Sequence, residues 1–163
     1  MKRIPIEVYQ SAATKLIYDP TAPSGLRWND GREAGCQDGK GYWLVRVGKT
    51  PGRLLKAHRL IWFIHHGTMP DLLDHRDGNP ANNVSSNLRE ATESQNRTNA
   101  PKHVDNTSGE KGVYWCKRAN SWLVQCSKNK KLHYVGRFKD KDAAIAAARQ
   151  IREVLHGNFV NHN

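Results

Sequence analysis

Acidic, imidazole and amide side chains are concentrated in residues 72–99, LLDHRDGNPANNVSSNLREATESQNRTN. Carboxylate and amide oxygens are ligands that Mg²⁺ accepts, usually together with several waters. An imidazole with a pKa of about 6.5 can accept a proton from water near neutral pH. The segment therefore contains the side-chain types needed to make a nucleophile from water and to neutralise charge on a phosphate.

The secondary structure predicted for this segment brings four of these side chains together. DLLDH is typical of a strand, RDGNPANNVSSN of a loop, LREA of a returning strand, and TESQNRTN of a helix capped by Thr92. Asp74 and His75 would end the first strand. Asn87 would begin the second strand, and Asn96 would lie one turn into the helix. We expect these four side chains to share one cleft.

The stretch DHRDGNPANNVSSNLREATESQN resembles the HNH motif, the ββα-metal finger of many phage and intron-encoded homing endonucleases, and AHRLIWFIHHG is similar to the usual lead-in of that family. The resemblance covers roughly residues 55–99. It implies a DNA endonuclease in which His75 is the general base and Asn87 orients the imidazole. Asp74 and Asn96 would bind one Mg²⁺, for which Mn²⁺ is expected to substitute. The family often has a second histidine where this chain has Asn96, so the ligand here is neutral and weaker.

A solvated turn whose amides cap backbone groups is the alternative explanation for the asparagines of this segment. Taken singly, Asn79, Asn82 and Asn83 are explained better by such a turn than by catalysis, and Asp77 fits the same explanation. The turn does not account for the four candidate residues together.

The composition indicates the class of partner. Lys and Arg number 26 and Asp and Glu 15, which gives a formal net charge of +11. This excess favours nucleic acid ahead of an anionic membrane, and the resemblance to HNH endonucleases implies that the nucleic acid is double-stranded DNA. Apolar runs are too short for a membrane span and MKRIPIEVYQ lacks the apolar segment of a signal peptide, so we expect a cytoplasmic protein. Cys36, Cys116 and Cys126 form no CxxC pair, which indicates free thiols and argues against zinc.

The residues before the HNH segment predict small antiparallel strands and two helices. Residues 1–24 predict a short helix at KLIY followed by a turn, and GLRW, YWLVRV and RLLKAH predict two or three strands. HRLIWFIHHG has helical spacing and stops at Gly67, a typical C-cap. Its histidines, His58, His65 and His66, are expected to pack or to lie at the surface. Residues 1–100 would thus form an N-terminal part that contains the nuclease module, and residues 101–110 a linker.

A different pattern follows in residues 111–163. GVYWCK, SWLVQCSK and LHYVGRF predict three strands, and DKDAAIAAARQIREVLHG predicts a helix that Asp140 caps and that turns its alanines to the sheet. Residues 107–159 resemble the APETALA/ethylene-response-factor DNA-binding domain in SGEKGVYW, YVGRF, DAAIAAA and HGNF. That resemblance implies a sheet lying in the major groove. The predicted DNA-binding residues are Lys111, Tyr114, Lys117, Arg118, Gln125, Lys128, Tyr134 and Arg137.

The fold class predicted for the whole chain is α+β, and the predicted function is that of a free-standing phage homing endonuclease. Two alternatives stay open, a DNA-binding regulator without catalysis and a defence or restriction nuclease. A monomer and a dimer assembled on DNA are both compatible with the sequence. We further expect that truncation after about residue 104 would leave the chemistry intact and change the choice of target.

Overall fold

The computed structural model describes residues 4–49 and 51–161, and it divides the chain into two compact units, Met1–Glu90 and Ala91–Asn163. Its small antiparallel sheets and four helices agree with the predicted α+β class. The last element of the HNH segment, the helix that begins after Thr92, falls in the second unit. Among the described residues, no helix is both long and apolar enough to cross a membrane.

The first unit contains two helices and three small antiparallel sheets. Its elements in chain order are α1 (Ile6–Ala13), β1 (Leu16–Tyr18), β2 (Leu26–Trp28), β3 (Cys36–Gln37), β4 (Trp43–Val47), β5 (Arg53–Lys56), α2 (Ala57–His66), β6 (Leu73–His75) and β7 (Leu88–Glu90). β1 pairs with β2, β4 lies between β3 and β5, and β6 pairs with β7. The last hairpin positions the first candidate residues.

The helix predicted at KLIY is wrong. Residues Leu16–Tyr18 form β1, in which Leu16 lies opposite Trp28 of β2, and the helix occupies the preceding segment from Ile6 to Ala13. A three-residue apolar run has no strong local preference, so pairing with a strand ten residues further along decides its conformation.

Helix α2 closes the core of the first unit. Leu60, Ile61 and Phe63 are buried on one face and join a cluster that includes Leu26, Val45 and Leu55. The helix ends at Gly67, whose φ of 67° is the left-handed conformation of a C-cap and whose N–H donates to the carbonyl of Phe63 at 2.8 Å. The predicted helix and its glycine cap are confirmed.

The second unit contains α3 (Glu93–Asn99), β8 (Val113–Cys116), β9 (Ser121–Lys128), β10 (Lys131–Phe138) and α4 (Lys141–His156). The three strands form one antiparallel sheet with β9 in the centre. Thr92 makes a capping box with Gln95 at the start of α3, and Asp140 accepts from the N–H of Ala143 at the start of α4. Both caps lie where the sequence predicts them.

A buried carboxylate strengthens the packing of the second unit. Val113, Val124, Ala144 and Ala148 form its apolar core. Beside this core Glu110, 1% exposed, accepts from Arg149 Nε at 2.8 Å and from Arg152 Nη1 at 3.1 Å. The end of the segment predicted as a linker is therefore anchored in this unit, and α4 buries an arginine on its inner face.

Candidate active site

The β6–β7 hairpin holds Asp74 and His75 at the end of its first strand. Asp74 lies opposite Arg89 and His75 opposite Leu88, and both candidate side chains are buried. After His75 the chain turns sharply, because Gly78 adopts a φ of 73° and its N–H donates to the carbonyl of His75 at 2.9 Å. Asp74 and His75 are thus consecutive residues at the end of β6, next to this turn.

The imidazole of His75 has an amide partner that sets its tautomer. His75 Nε2 lies 3.1 Å from Asn83 Oδ1, and the Nδ2 of the same amide donates to the carbonyl of Ser24 at 3.0 Å. Because the amide nitrogen is engaged by Ser24, its oxygen faces the ring and accepts from a protonated Nε2. The lone pair of the neutral ring then lies on Nδ1.

The surroundings of His75 favour the neutral imidazole. Burial lowers the pKa of His75, and this effect outweighs the hydrogen bond that the ring donates to Asn83 and the charges of Asp77 and Asp74, which act in the opposite direction. The ring of His58 meets that of His75 edge-on with centroids 4.9 Å apart, and Tyr42 lies against both. The packing role predicted for His58 is confirmed, since this residue is buried within that cluster.

Asn87 binds the loop rather than the imidazole. Its Nδ2 donates to Asp77 Oδ1 at 3.0 Å and to the carbonyl of Asn82 at 2.8 Å, and its Oδ1 accepts from the N–H of Asp77. The side chain next to the ring is instead Asn83, which the sequence assigned to a solvated turn. Asn87 therefore closes the base of the loop that carries Asn83.

Asp77 organises the same loop. Burial raises the pKa of its carboxyl, but hydrogen bonds from the N–H of Asn79 and from the side chains of Asn87 and Asn82 outweigh burial and leave the pKa below its usual value. An ionised Asp77 can accept all of these bonds. The predicted capping role of Asp77 and Asn82 agrees with these contacts.

Asp74 forms a buried ion pair. Arg89 Nε and Nη2 both lie 2.8 Å from Asp74 Oδ2, and the two side chains are 6–7% exposed. Two nitrogens of the guanidinium thus contact Asp74 Oδ2 from the facing strand. This contact fixes the rotamer of Asp74 and compensates its charge.

Asn96 lies in α3, within the second unit. Its side chain is exposed and makes no hydrogen bond or ion pair with the part of the chain that the structure describes. An uncommitted carboxamide oxygen is chemically suited to a hard cation.

Asp74 in the first unit and Asn96 in the second are each of a residue type that can bind Mg²⁺ or Mn²⁺. Both offer oxygen, and Mg²⁺ commonly takes one or two protein carboxylates and retains waters. No group of three or more His, Cys, Asp or Glu side chains suited to a metal occurs among residues 4–49 and 51–161.

Comparison with known proteins identifies the domain to which these residues belong. A family model described as HNH endonuclease matches residues 55–98. Protein 3.8 of Escherichia phage T7 is 34% identical over 106 residues, which amount to 64% of this chain and 87% of that protein. The chain belongs to the family of Protein 3.8. No solved structure matches it. The predicted HNH endonuclease domain is confirmed, and such a domain supports a nuclease that acts on DNA.

The outer face of the β8–β10 sheet collects half of the predicted DNA-binding residues in this member of the Protein 3.8 family. Strand pairing puts Tyr114, Leu123 and Arg137 in one row and Gln125 beside Tyr134 in the next. Tyr114 and Tyr134 are exposed, and α4 covers the opposite face, where Val124 is buried. Lys117 and Arg118 are exposed in the short turn between β8 and β9. DNA binding by these residues stays a prediction.

Two of the predicted DNA-binding lysines have other surroundings. Along β9 the side chains of Gln125 and Lys128 point to opposite faces of the sheet. Lys128 therefore lies on the side that faces α4, where its charge lowers the pKa of His156. Lys111 donates to the carbonyl of Asn161, and burial lowers its pKa to about 8. These positions are less suited to a phosphate than Arg137.

Sequence analysis missed Asn83 and Arg89 as partners of the candidate residues. The signal for Arg89 was present, because a hairpin between DLLDH and LREA puts it opposite Asp74. No local signal distinguishes Asn83 from its neighbours, since its second partner, Ser24, lies 59 residues earlier.

Proposed function

We propose that this chain is a metal-dependent DNA endonuclease that hydrolyses phosphodiester bonds at a selected site in double-stranded DNA, and that it is a free-standing phage homing endonuclease. The observation that carries the proposal is the contact between His75 and Asn83 inside an HNH endonuclease domain. A buried imidazole that is neutral and held in one tautomer is suited to take a proton from water. The T7 relative supports a phage setting, in which the protein would act in the host cytoplasm.

Each residue of the site has a distinct part in this mechanism. His75 accepts the proton of the attacking water at Nδ1, and Asn83 holds the ring through Nε2. Asn87 contributes by closing the loop that carries Asn83. Asp74 and Asn96 would hold the Mg²⁺ or Mn²⁺, a pairing that rests on the ββα motif of the family. When bound, the ion would neutralise charge on the phosphate and on the leaving oxygen.

Target selection is assigned to the outer face of the β8–β10 sheet. Tyr114, Gln125, Tyr134 and Arg137 combine aromatic surface, an amide and a guanidinium on one face. Such groups can read base edges and contact phosphates in a groove. The formal net charge of +11 supports a polyanionic partner.

Cleavage of supercoiled plasmid DNA tests the catalytic part of the proposal. His75→Ala should lower the single-turnover rate about 10²-fold or more while the affinity for DNA stays nearly unchanged, because only the base is removed. His103→Ala is the matched control, since the side chain of His103 is exposed and pairs with Asp105 beside it. Near-normal cleavage by His75→Ala would contradict the assignment.

Metal dependence is tested with EDTA and with Asp74→Asn. The substitution should sharply weaken Mg²⁺-dependent cleavage, and thermal unfolding must be followed in parallel because it also weakens the ion pair with Arg89. Full activity in excess EDTA would refute a metal mechanism. DNA binding without cleavage by the wild-type protein in Mg²⁺ or Mn²⁺ would favour the regulator, and cleavage at many short sites in foreign DNA would favour a defence nuclease.

A further inference from the structure

Helix α3 is unusual because none of its seven residues, ESQNRTN, is apolar. A helix of this length is marginal alone, and most protein helices are held by an apolar face. The capping box of Thr92 and Gln95 stabilises its first turn but does not orient it. Its position must therefore come from polar contacts.

Three side chains of the second unit, Cys126, His156 and Thr98, are linked by hydrogen bonds that run in one donor-to-acceptor order. This hydrogen-bond chain ends on α3. Thr98 Oγ1 donates to the carbonyl of Ser94 at 2.9 Å, which leaves its oxygen to accept from His156 Nδ1 at 3.4 Å. With the proton on Nδ1, His156 Nε2 can accept from the thiol of Cys126, whose Sγ lies 3.2 Å away. This hydrogen-bond chain connects the central strand β9, through the end of α4, to the last turn of α3.

Two further contacts fix the same helix. The N–H of Asn129, in the tight turn between β9 and β10, donates to Ser94 Oγ at 3.3 Å. Asn161 Nδ2 donates to the carbonyl of Asn99 at 2.8 Å. Both ends of α3 are thus tied to residues that lie far beyond the HNH segment.

We propose that the Cys126–His156–Thr98 chain positions α3 and, through it, the carboxamide of Asn96. Thr98 and His156 are positioning residues and touch no reacting atom. This inference rests on the proposed function, because it gives Asn96 the part of a metal ligand. It replaces the expectation that truncation after about residue 104 would leave the chemistry intact.

The pKa shifts of His156 and Cys126 agree with a hydrogen-bond chain whose side chains are uncharged. Burial lowers the pKa of His156, and the charges of Arg152 and Lys128 lower it further. Burial also raises the pKa of the Cys126 thiol. Near neutral pH the thiol therefore keeps its proton and the imidazole stays uncharged, as the donor and acceptor order requires.

The test uses the full-length protein with Thr98→Val and His156→Phe. Thr98→Val preserves the shape of the side chain and removes its hydroxyl, whereas Thr98→Ser keeps the hydroxyl. His103→Phe controls for replacement of an exposed histidine. Hydrogen exchange of the amides of Asn96 and Ala100, which close the turns of α3, reports its docking without any cleavage.

We expect exchange at these amides to rise up to about tenfold in Thr98→Val, as follows from the loss of the hydrogen bond that joins Thr98 to His156. The Mg²⁺ concentration that gives half-maximal cleavage should rise about 10- to 100-fold, the usual effect of losing a residue that orients a ligand. DNA affinity measured in Ca²⁺ should change less than twofold. Thr98→Ser should behave like the wild type in all three measurements.

Unchanged exchange in both Thr98→Val and His156→Phe would overturn the inference, because the hydrogen-bond chain would then not hold α3. Faster exchange with an unchanged Mg²⁺ requirement would also overturn it, since Asn96 would not depend on that docking. Failure of the proposed function is distinguishable from these results, because wild-type protein would then show no metal-dependent cleavage at all.

Discussion

Asn83→Ala tests whether the amide next to His75 controls the base. In the structure Asn83 Oδ1 is the acceptor for His75 Nε2, at 3.1 Å. A buried hydrogen bond contributes about 0.5–1.5 kcal/mol, so its loss lowers the population of the productive tautomer and ring orientation by up to about tenfold. Single-turnover cleavage should fall by about that factor. The loss should be smaller than the ~10²-fold or greater loss expected for His75→Ala.

The same substitution should destabilise the first unit. Asn83 is 4% exposed, and its removal leaves both the Nε2–H of His75 and the carbonyl of Ser24 without this partner. Each buried group that loses its partner costs about 1–3 kcal/mol, so for two such groups we expect the free energy of unfolding to fall by about 2–6 kcal/mol. Urea unfolding measures this loss, and cleavage must be assayed where the variant is still folded.

Asn79→Ala is the matched control, because Asn79 is an exposed asparagine of the same loop whose side chain accepts only from the N–H of Ala81. It should change cleavage less than twofold. Asn87→Ala should lower stability by opening the loop. It should lower the cleavage rate only to the extent that the opened loop displaces Asn83. If Asn83→Ala cleaved DNA at the wild-type rate while Asn87→Ala cleaved it more slowly, the assignment of Asn83 as the amide that orients His75 would be refuted.

Three further predictions follow from buried charges and from the sheet. Glu110→Ala should lower the free energy of unfolding by about 3–5 kcal/mol because it leaves Arg152 buried without its carboxylate, whereas Glu93→Ala, at an exposed pair, should cost at most about 0.5 kcal/mol in the same urea titration. Burial lowers the pKa of His58 well below its usual value, so the folded state binds fewer protons than the unfolded state. The contribution of His58 to stability should be full above pH ~6.5 and fall by up to about 1.4 kcal/mol per pH unit below it, and His75 and His156 add contributions of the same sign. Unfolding at a series of pH values should show a smaller decline in His58→Gln than in the wild type. Arg137→Ala should reduce the salt dependence of DNA binding by about one unit of slope, and an unchanged slope would mean that this arginine meets no phosphate.

The elements that sequence predicts correctly are those whose determinants are local. The capping box of Thr92 and the glycine cap at Gly67 each involve residues within one turn of helix. The β6–β7 hairpin follows from two short runs that flank a loop of turn formers. Short-range chemistry decides these features, so composition and spacing are enough to locate them.

The contacts that complete the candidate site are of the opposite kind. Asn83 and Asn82 are identical neighbours in sequence, yet Asn83 is buried against His75 while Asn82 binds Asp77. Which of the two amides turns inward depends on Ser24, which no pattern in residues 72–99 encodes. The sequence therefore indicates that amides matter in this loop, but tertiary packing selects the one that touches the base.

The extent of the nuclease module shows the same limit. Similarity to the HNH endonuclease family ends at residue 98, and the sequence places a module boundary just beyond it. The helix that ends the motif has no apolar residue, so its orientation comes from Cys126, His156 and Asn161, which lie up to 62 residues further along the chain. A family motif marks the residues that do the chemistry. The part of the chain needed to hold α3 in place extends as far as the contacts of Ser94, Thr98 and Asn99 do, and those contacts reach into the C-terminal sheet and helix.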